Sequence, residues 1–559
     1  MVARRLFDIR NRYDASVSGE KLSLLRQLDG RKFSTARDLK LLHSALCFIR
    51  AFPDSPEHYR LAHAELTRME HRVDGLIGAE QSKLWDTGII GTPVHYGFSY
   101  EVATWLERRV PGTVSIDWED MHDPPGLDEI LMHLLQPSED EYFDSGHVSG
   151  REWIELASAN TEGTDFDWLI AQLKEQHFAS IWAQLYNAAD LWLTWDLRGA
   201  RLSKSLNTFP VKNVFFRQAG MRRPTGSVKN EIMRPLESVS RLTPRAGAKM
   251  IDVAMASLAV RHRETYHFNH ASPREVYLAD VGEGLSIAIF GLQKRYRFPL
   301  ECTMGYLIVG NGAPIGYGGA SVLFRQVNTG VNIFDEYRGS EAAFLWVQVM
   351  RVYHHVTGCT RYIADPYQFG ADNDEALRSG AFWFYYRLGY RPVSRDIREL
   401  AGREFANARR NKSYRSDLKT LRRLASCDMH LTLPGARHSD LFDERWIETS
   451  SMLATRVLGA AGGRTRKAAA NRVAAELARD VGIRSFGGWS ASERNAFKRI
   501  APIVAAAKPG NWSADAKRSM RKLLRAKGGD SEAEYARLLS QHEPFLSALR
   551  KACRRADLD

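Results

Sequence analysis

The stretch from Val331 to Pro392 constrains this chain more than any other, because it lays down a strand, a turn, a helix, a second strand and a second helix in fixed order. Val331 to Phe334 is a strand-like run. The segment Glu336-Tyr337-Arg338-Gly339-Ser340 turns into a helix that starts near Glu341. Leu345, Val349, Val352 and Val356 recur every three or four residues, the spacing of one buried helical face. Gly358 is placed to end that helix. Tyr362-Ile363-Ala364 is a second short strand, followed by a polar loop from Phe369 to Ser379 and an aromatic helix, Ala381 to Leu388, closed by Gly389. A strand, a crossover helix and a strand in this order predict two parallel neighbours.

Two motifs in this unit carry a resemblance. Tyr337-Arg338-Gly339-Ser340-Glu341-Ala342-Ala343 is similar to the turn with which the GNAT superfamily of N-acetyltransferases holds the pyrophosphate of acyl-coenzyme A. Ala381, Tyr385, Gly389 and Tyr390 fall at i, i+4, i+8 and i+9, as in that family's final helix and its Gly-aromatic ending. The resemblance covers about residues 240 to 395. It implies a GNAT-like mixed α/β sheet in the centre of the chain, with acyl-coenzyme A as co-substrate and a small-molecule or protein amine as acceptor.

The physical basis of the first motif is the start of a helix, where main-chain N–H groups lack partners and the helix dipole adds positive charge. Phosphate oxygens satisfy both. Glu341 stands where the family has a glycine, and a carboxylate there can cap the free N–H groups and repel a phosphate. The same residues therefore also read as an ordinary capped helix start. On that reading the protein is a binding or scaffold protein that keeps the fold without coenzyme A.

Acyl transfer to an amine requires a base for the amine, donors for the oxyanion and a proton for the leaving thiolate. The resemblance puts Tyr385 in the place of the tyrosine that protonates the thiolate; its other reading is a core tyrosine among Phe382, Trp383, Phe384 and Tyr386. Asp335, Glu336 and Asp365 lie at strand ends, where a carboxylate serves either as base or as helix cap. Arg378 replaces the family's asparagine, and with Arg338 it could bind an anionic substrate. The loop from His262 to Pro273 holds His267 and His270, which the resemblance places over the acceptor site; the plainer reading is hydrogen-bonded loop histidines.

Length and charge set the outer limits. A chain of 559 residues exceeds one core. The boundaries predict a mainly helical N-terminal region over 1–235, the acyltransferase-like domain over 240–395 and a basic helical domain over 400–559. There is no run of apolar residues long enough to span a membrane. The basic N-terminus lacks an apolar signal core. Five scattered cysteines make no CxxC pair. These features predict a cytoplasmic protein with no metal site. The net charge of +12 is uneven, with about +15 of it beyond residue 400. Such asymmetry suits either a polyanion partner, nucleic acid included, or a solvated surface that packs on an acidic neighbour.

The remaining segments are read in order. Thr35 with Asp38, and Ser55-Pro56-Glu57, are helix starts, and Thr113 to Trp118 is a strand candidate. The acids Asp117, Glu119, Asp120, Asp123, Asp128, Glu129, Glu139, Asp140, Glu141 and Asp144, with His122 and His133, lack metal-site spacing and read as a solvated or docking face. One aromatic helix is expected from Asp165 to Trp195, and a basic linker or arm from Gly220 to Leu236. A helix begins at Thr243-Pro244. Strands are expected at Leu285–Leu292, Met304–Val309 and Ile315–Phe324, the last two joined by a tight turn at Asn311-Gly312. Beyond 395, Arg409-Arg410-Asn411-Lys412 and Arg422-Arg423 sit on polar helices with few aromatics between them, and Ser490, Ser513 and Ser531 begin a small helical bundle.

Overall fold

A computed structural model describes residues 2–119, 125–144, 146–224 and 226–556. Asp120, His122 and Asp123 of the acidic segment lie outside the described residues. The fold is mixed α/β, with many helices around one large mixed sheet.

The N-terminal helices begin where the capping residues stand. Thr35 accepts a hydrogen bond from the Asp38 N–H and Ser55 from the His58 N–H. A small antiparallel sheet follows, from β1 (Pro93–Tyr96), β2 (Val114–Ile116) and β3 (Leu193–Asp196), in the order β1-β3-β2. The single aromatic helix expected from Asp165 to Trp195 is instead two helices, Asp165–Glu175 and Ala179–Ala189, and strand β3. Phe178 breaks the helix with φ of +63°, and Leu193-Thr194-Trp195 alternates as a strand between β1 and β2.

The large sheet is built from β4 (Ser238–Arg241), β5 (Ala271–Gly282), β6 (Leu285–Leu292), β7 (Cys302–Gly310), β8 (Ala313–Leu323), β9 (Gln326–Thr329), β10 (Asn332–Ile333), β11 (Arg361–Ala364), β12 (Arg391–Pro392) and β13 (Met429–Thr432). Its order is β12-β13-β11-β9-β8-β7-β6-β5-β4, with β10 paired to β8 beside that path. The β7–β8 turn uses Asn311 at φ +44° and Gly312 at φ +84°, the left-handed pair of a type I′ hairpin. Asn311 also ties the hairpin to its neighbours through hydrogen bonds to the Ala51 and Phe215 carbonyls and from the Phe215 N–H.

The crossover joins different strands from those expected. β11 is parallel to β9, pairing Tyr362 with Val327, whereas the Val331–Phe334 run contributes only β10, antiparallel to β8. The polar strand Gln326-Val327-Asn328-Thr329 carries no apolar signature because Gln326 and Asn328 bond to the covering segment, at the Phe442 main chain and the Glu444 carboxylate. The sheet also continues past residue 395. β13, from the region expected to be purely helical, inserts between β11 and β12. The expected polar loop from Phe369 to Ser379 contains the helix Asp374–Ser379, capped by Asn373.

The crossover helix Ala342–Thr357 lies on one sheet face, where the Tyr362 hydroxyl donates to the Met350 carbonyl and the Tyr353 hydroxyl to that of Met304. Helix Glu532–Gln541 packs against it, and Tyr535 donates to the Leu300 carbonyl. On the opposite face the short helix Tyr266–Asn269 presses His267 against Gly305 and Gly319. A Cβ at Gly319 would sit 2.0 Å from the imidazole, so those two glycines make room for the ring.

Candidate functional site

The parallel strands β9 and β11 run together only as far as the Asn328–Ile363 pair. The chain then passes through Gly330-Val331 and pairs with β8 again as β10, without a partner from β11. Gly330 links the two strands beneath the tip of the Gln368 side chain. Its carbonyl accepts from the Tyr306 hydroxyl at 2.5 Å, and a Cβ would meet the Gln368 side-chain oxygen at 1.9 Å.

Tyr385 reaches this link from helix Ala381–Arg387. Its phenol hydrogen-bonds the Val331 main chain. Trp346, Phe369 and Tyr390 surround its ring in edge-on contacts, with centroids 6.3, 6.1 and 5.3 Å away. Burial first, and the Asp365 charge second, push the phenol pKa above its ordinary value, so the hydroxyl keeps its proton. Asp365 ends β11 and caps the next turn by accepting from the Tyr367 N–H at 3.0 Å.

Asp365 also acts on the charge of a carboxylate that carries no mark in the sequence. Glu444 accepts from the Asn328 side chain at 3.0 Å. Burial lifts its pKa to about 7, opposed by the Asn328 bond and assisted by Asp428, Asp365 and Glu301. Asp428 is raised by burial and then by Asp365 and Asp443. The strand ends thus hold a protonated phenol and a carboxyl that titrates near neutrality, both within electrostatic reach of Asp365. No spacing in the sequence links Glu444 to Asp365 or Asn328; β13 brings the distant segment alongside β11.

The other candidate residues fall into separate groups. Asp335 and Arg338 are exposed and paired at 2.9 Å, and Arg338 also meets Glu375 at 2.9 Å. Glu336 is buried between Arg261 at 2.9 Å and Lys204 at 3.2 Å. Burial raises its pKa, but the Arg261 and Lys204 charges outweigh that and hold it well below the usual carboxylate range. An ion-paired, strongly acidic carboxylate in this position anchors the turn to its neighbours and is a poor base. His267 lies under the sheet face with its pKa lowered to about 4 by burial. His270 stacks on Tyr296 at 3.8 Å and is likewise lowered to about 4, by burial and then Arg295. Arg378 is exposed on helix Asp374–Ser379.

The turn itself is gripped by the N-terminal region. Tyr337 is buried, the Arg338 carbonyl accepts from Arg10 at 2.9 Å, and the Gly339 carbonyl accepts from Asn11 at 3.2 Å. Gly339 has φ of +89°, and Ser340, Glu341, Ala342 and Ala343 carry the chain into the crossover helix. The Glu341 carboxylate does not cap that helix. It is buried against the arm, where Arg217 contributes hydrogen bonds at 3.0 and 3.2 Å and Arg222 one at 3.2 Å. The Arg222 main-chain N–H adds another at 2.7 Å. Two guanidinium groups therefore offset the charge that would repel a phosphate.

All five cysteines are free. Among the described residues, no group of three His, Cys, Asp or Glu side chains could hold a metal ion, and no helix is long and apolar enough to cross a membrane. Comparison with known protein families, curated proteins and solved structures finds no match to this chain.

Proposed function

We propose that the chain is a GNAT-like N-acyltransferase that moves an acyl group from acyl-coenzyme A to an amine. The observation that carries this reading is the buried, protonated Tyr385 phenol bonded to the Val331 main chain just past the end of β9, next to the Asp365 charge at the end of β11. A parallel pair with a crossover helix, followed by the aromatic helix that supplies Tyr385, supports this reading, with β9 in place of the expected Val331–Phe334 strand. Glu341 is neutralised by Arg217 and Arg222, so its presence at the turn does not argue against a diphosphate.

In this reading the amine nitrogen attacks the thioester carbonyl, a C–N bond forms and the C–S bond breaks. Tyr385 gives its proton to the departing thiolate. Glu444, whose carboxyl loses its proton near neutral pH, takes the proton of the amine directly or through water. Asp335 and Arg338, exposed and paired at the turn, meet charged groups of either substrate.

The test is thiol release from acetyl-coenzyme A in the presence of a panel of primary amines. Tyr385→Phe should slow release by about 10²–10⁴-fold, the range for one general acid. Glu444→Gln should abolish the acidic limb of the pH profile near pH 7. Release that is unchanged in both variants would remove these residues from the chemistry, and the absence of release with every amine would count against the transferase reading.

A further inference from the structure

Between β12 and β13 the chain leaves the sheet as a helical hairpin, Arg395–Arg410 and Leu418–Leu424. Residues 395 to 424 carry ten Lys or Arg and four Asp or Glu. Three of the four acids are occupied locally, and Asp396 lies in the first turn of the first helix. Glu399 pairs with Arg395 at 3.1 Å, Glu404 accepts from Tyr414 and Ser416, and Asp417 caps the second helix through the Thr420 N–H. Arg403, Arg409, Arg410, Lys412, Lys419, Arg422 and Arg423 are exposed, and among the described residues none of them reaches a carboxylate at ion-pair distance. Arg378 and Arg387, on the helices next to the hairpin, extend the strip in the same unpaired state.

The hairpin is held firmly enough to present these charges. Phe405 packs on Trp383 and Tyr386 with centroids 6.1 and 5.1 Å apart, and Leu421 and Leu424 are buried. Its first helix is 16 residues long, so it spans about 24 Å.

We propose that this hairpin is a docking surface for the phosphodiester backbone of duplex DNA. Five of its seven unpaired cations are arginines, whose planar guanidinium bonds phosphate oxygens in pairs, and an uncompensated cationic strip gains affinity by releasing counterions. Single strands are disfavoured, since they bind by base stacking on exposed aromatic rings and here Phe405 and Tyr414 are both engaged within the protein. An anionic membrane is disfavoured too. Leu418 is the one large apolar side chain exposed on the hairpin among the described residues, too little for a face that inserts into lipid. The contacts are to phosphate alone, so recognition is independent of base sequence.

The test uses the full chain and a short fluorescein-labelled DNA duplex, with binding followed by anisotropy from 50 to 200 mM salt. Affinity should fall by about 10³-fold or more over that range, as expected for six or more phosphate contacts. Arg409→Glu/Arg410→Glu should weaken binding at least about 100-fold at the lower salt and flatten the salt dependence by about two contacts. Arg464→Glu/Arg466→Glu, an equal charge change at exposed positions elsewhere in the basic region, should leave the salt slope unchanged. Unaltered thermal melting of both variants establishes that they fold. The proposal is overturned if the duplex does not bind, if both double variants weaken it equally, or if phosphatidylserine vesicles or a single strand bind more tightly than the duplex.

Discussion

Two charged regions of this molecule are wired in opposite ways. Around the turn into the crossover helix, each buried acid is matched by cations from a distant segment: Glu341 by Arg217 and Arg222, and Glu336 by Lys204 and Arg261. On the hairpin beyond residue 395 the acids serve caps and local pairs, and the cations are left facing solvent. Charge at the turn is structural, because burying it unpaired would cost more than the fold could tolerate. Charge on the hairpin contributes little to folding and is therefore available for a partner.

Substitutions at the turn should break this contrast most strongly. Glu341→Ala leaves Arg217, which is 3 % exposed, without its buried partner. It should lower stability in urea by about 3–5 kcal/mol, and a loss below about 1 kcal/mol would show that the pair is not buried in solution. Glu444 is intermediate. Its folded pKa of about 7 lies above the ordinary glutamate value of about 4.3, so the folded state binds the extra proton. The stability this provides is complete below about pH 4.3 and is lost as pH rises through about 7. Glu444→Gln should accordingly gain about 2–3 kcal/mol relative to the parent chain between pH 5 and pH 8; an unchanged difference would place the carboxyl in solvent. Glu336 has the opposite sign. Its depressed pKa contributes stability above the ordinary glutamate range that is lost as pH falls below it, and Glu336→Gln should flatten the acid limb of the stability profile. The hairpin should respond least. Arg409→Ala/Arg410→Ala should change stability by less than about 0.5 kcal/mol, and a larger loss would reveal hidden packing at those positions.

The same contrast explains what was legible in the sequence. Helix starts at Thr35, Ser55, Thr243 and Ser490 were readable because a cap is a local interaction three residues long. The β7–β8 hairpin was readable because Asn311-Gly312 tolerates positive φ. Strand β9 was not, because its polar residues pair with a segment more than a hundred residues away. For the same reason the candidate base Glu444, and the arginines that neutralise Glu341, carry no local mark. Glu341 read alone suggests a blocked phosphate site, and only the arm from Arg217 to Arg222 shows its charge to be balanced.

The most direct measurement is calorimetric binding of acetyl-coenzyme A and of longer acyl-coenzyme A thioesters to the intact chain, with Tyr385→Phe alongside. The account predicts micromolar binding by both proteins, since Tyr385 acts on the departing thiolate and is not needed to hold the co-substrate. Failure of every thioester to bind the parent chain would contradict it, and the buried Tyr385 would then be a core residue of the fold without this chemistry.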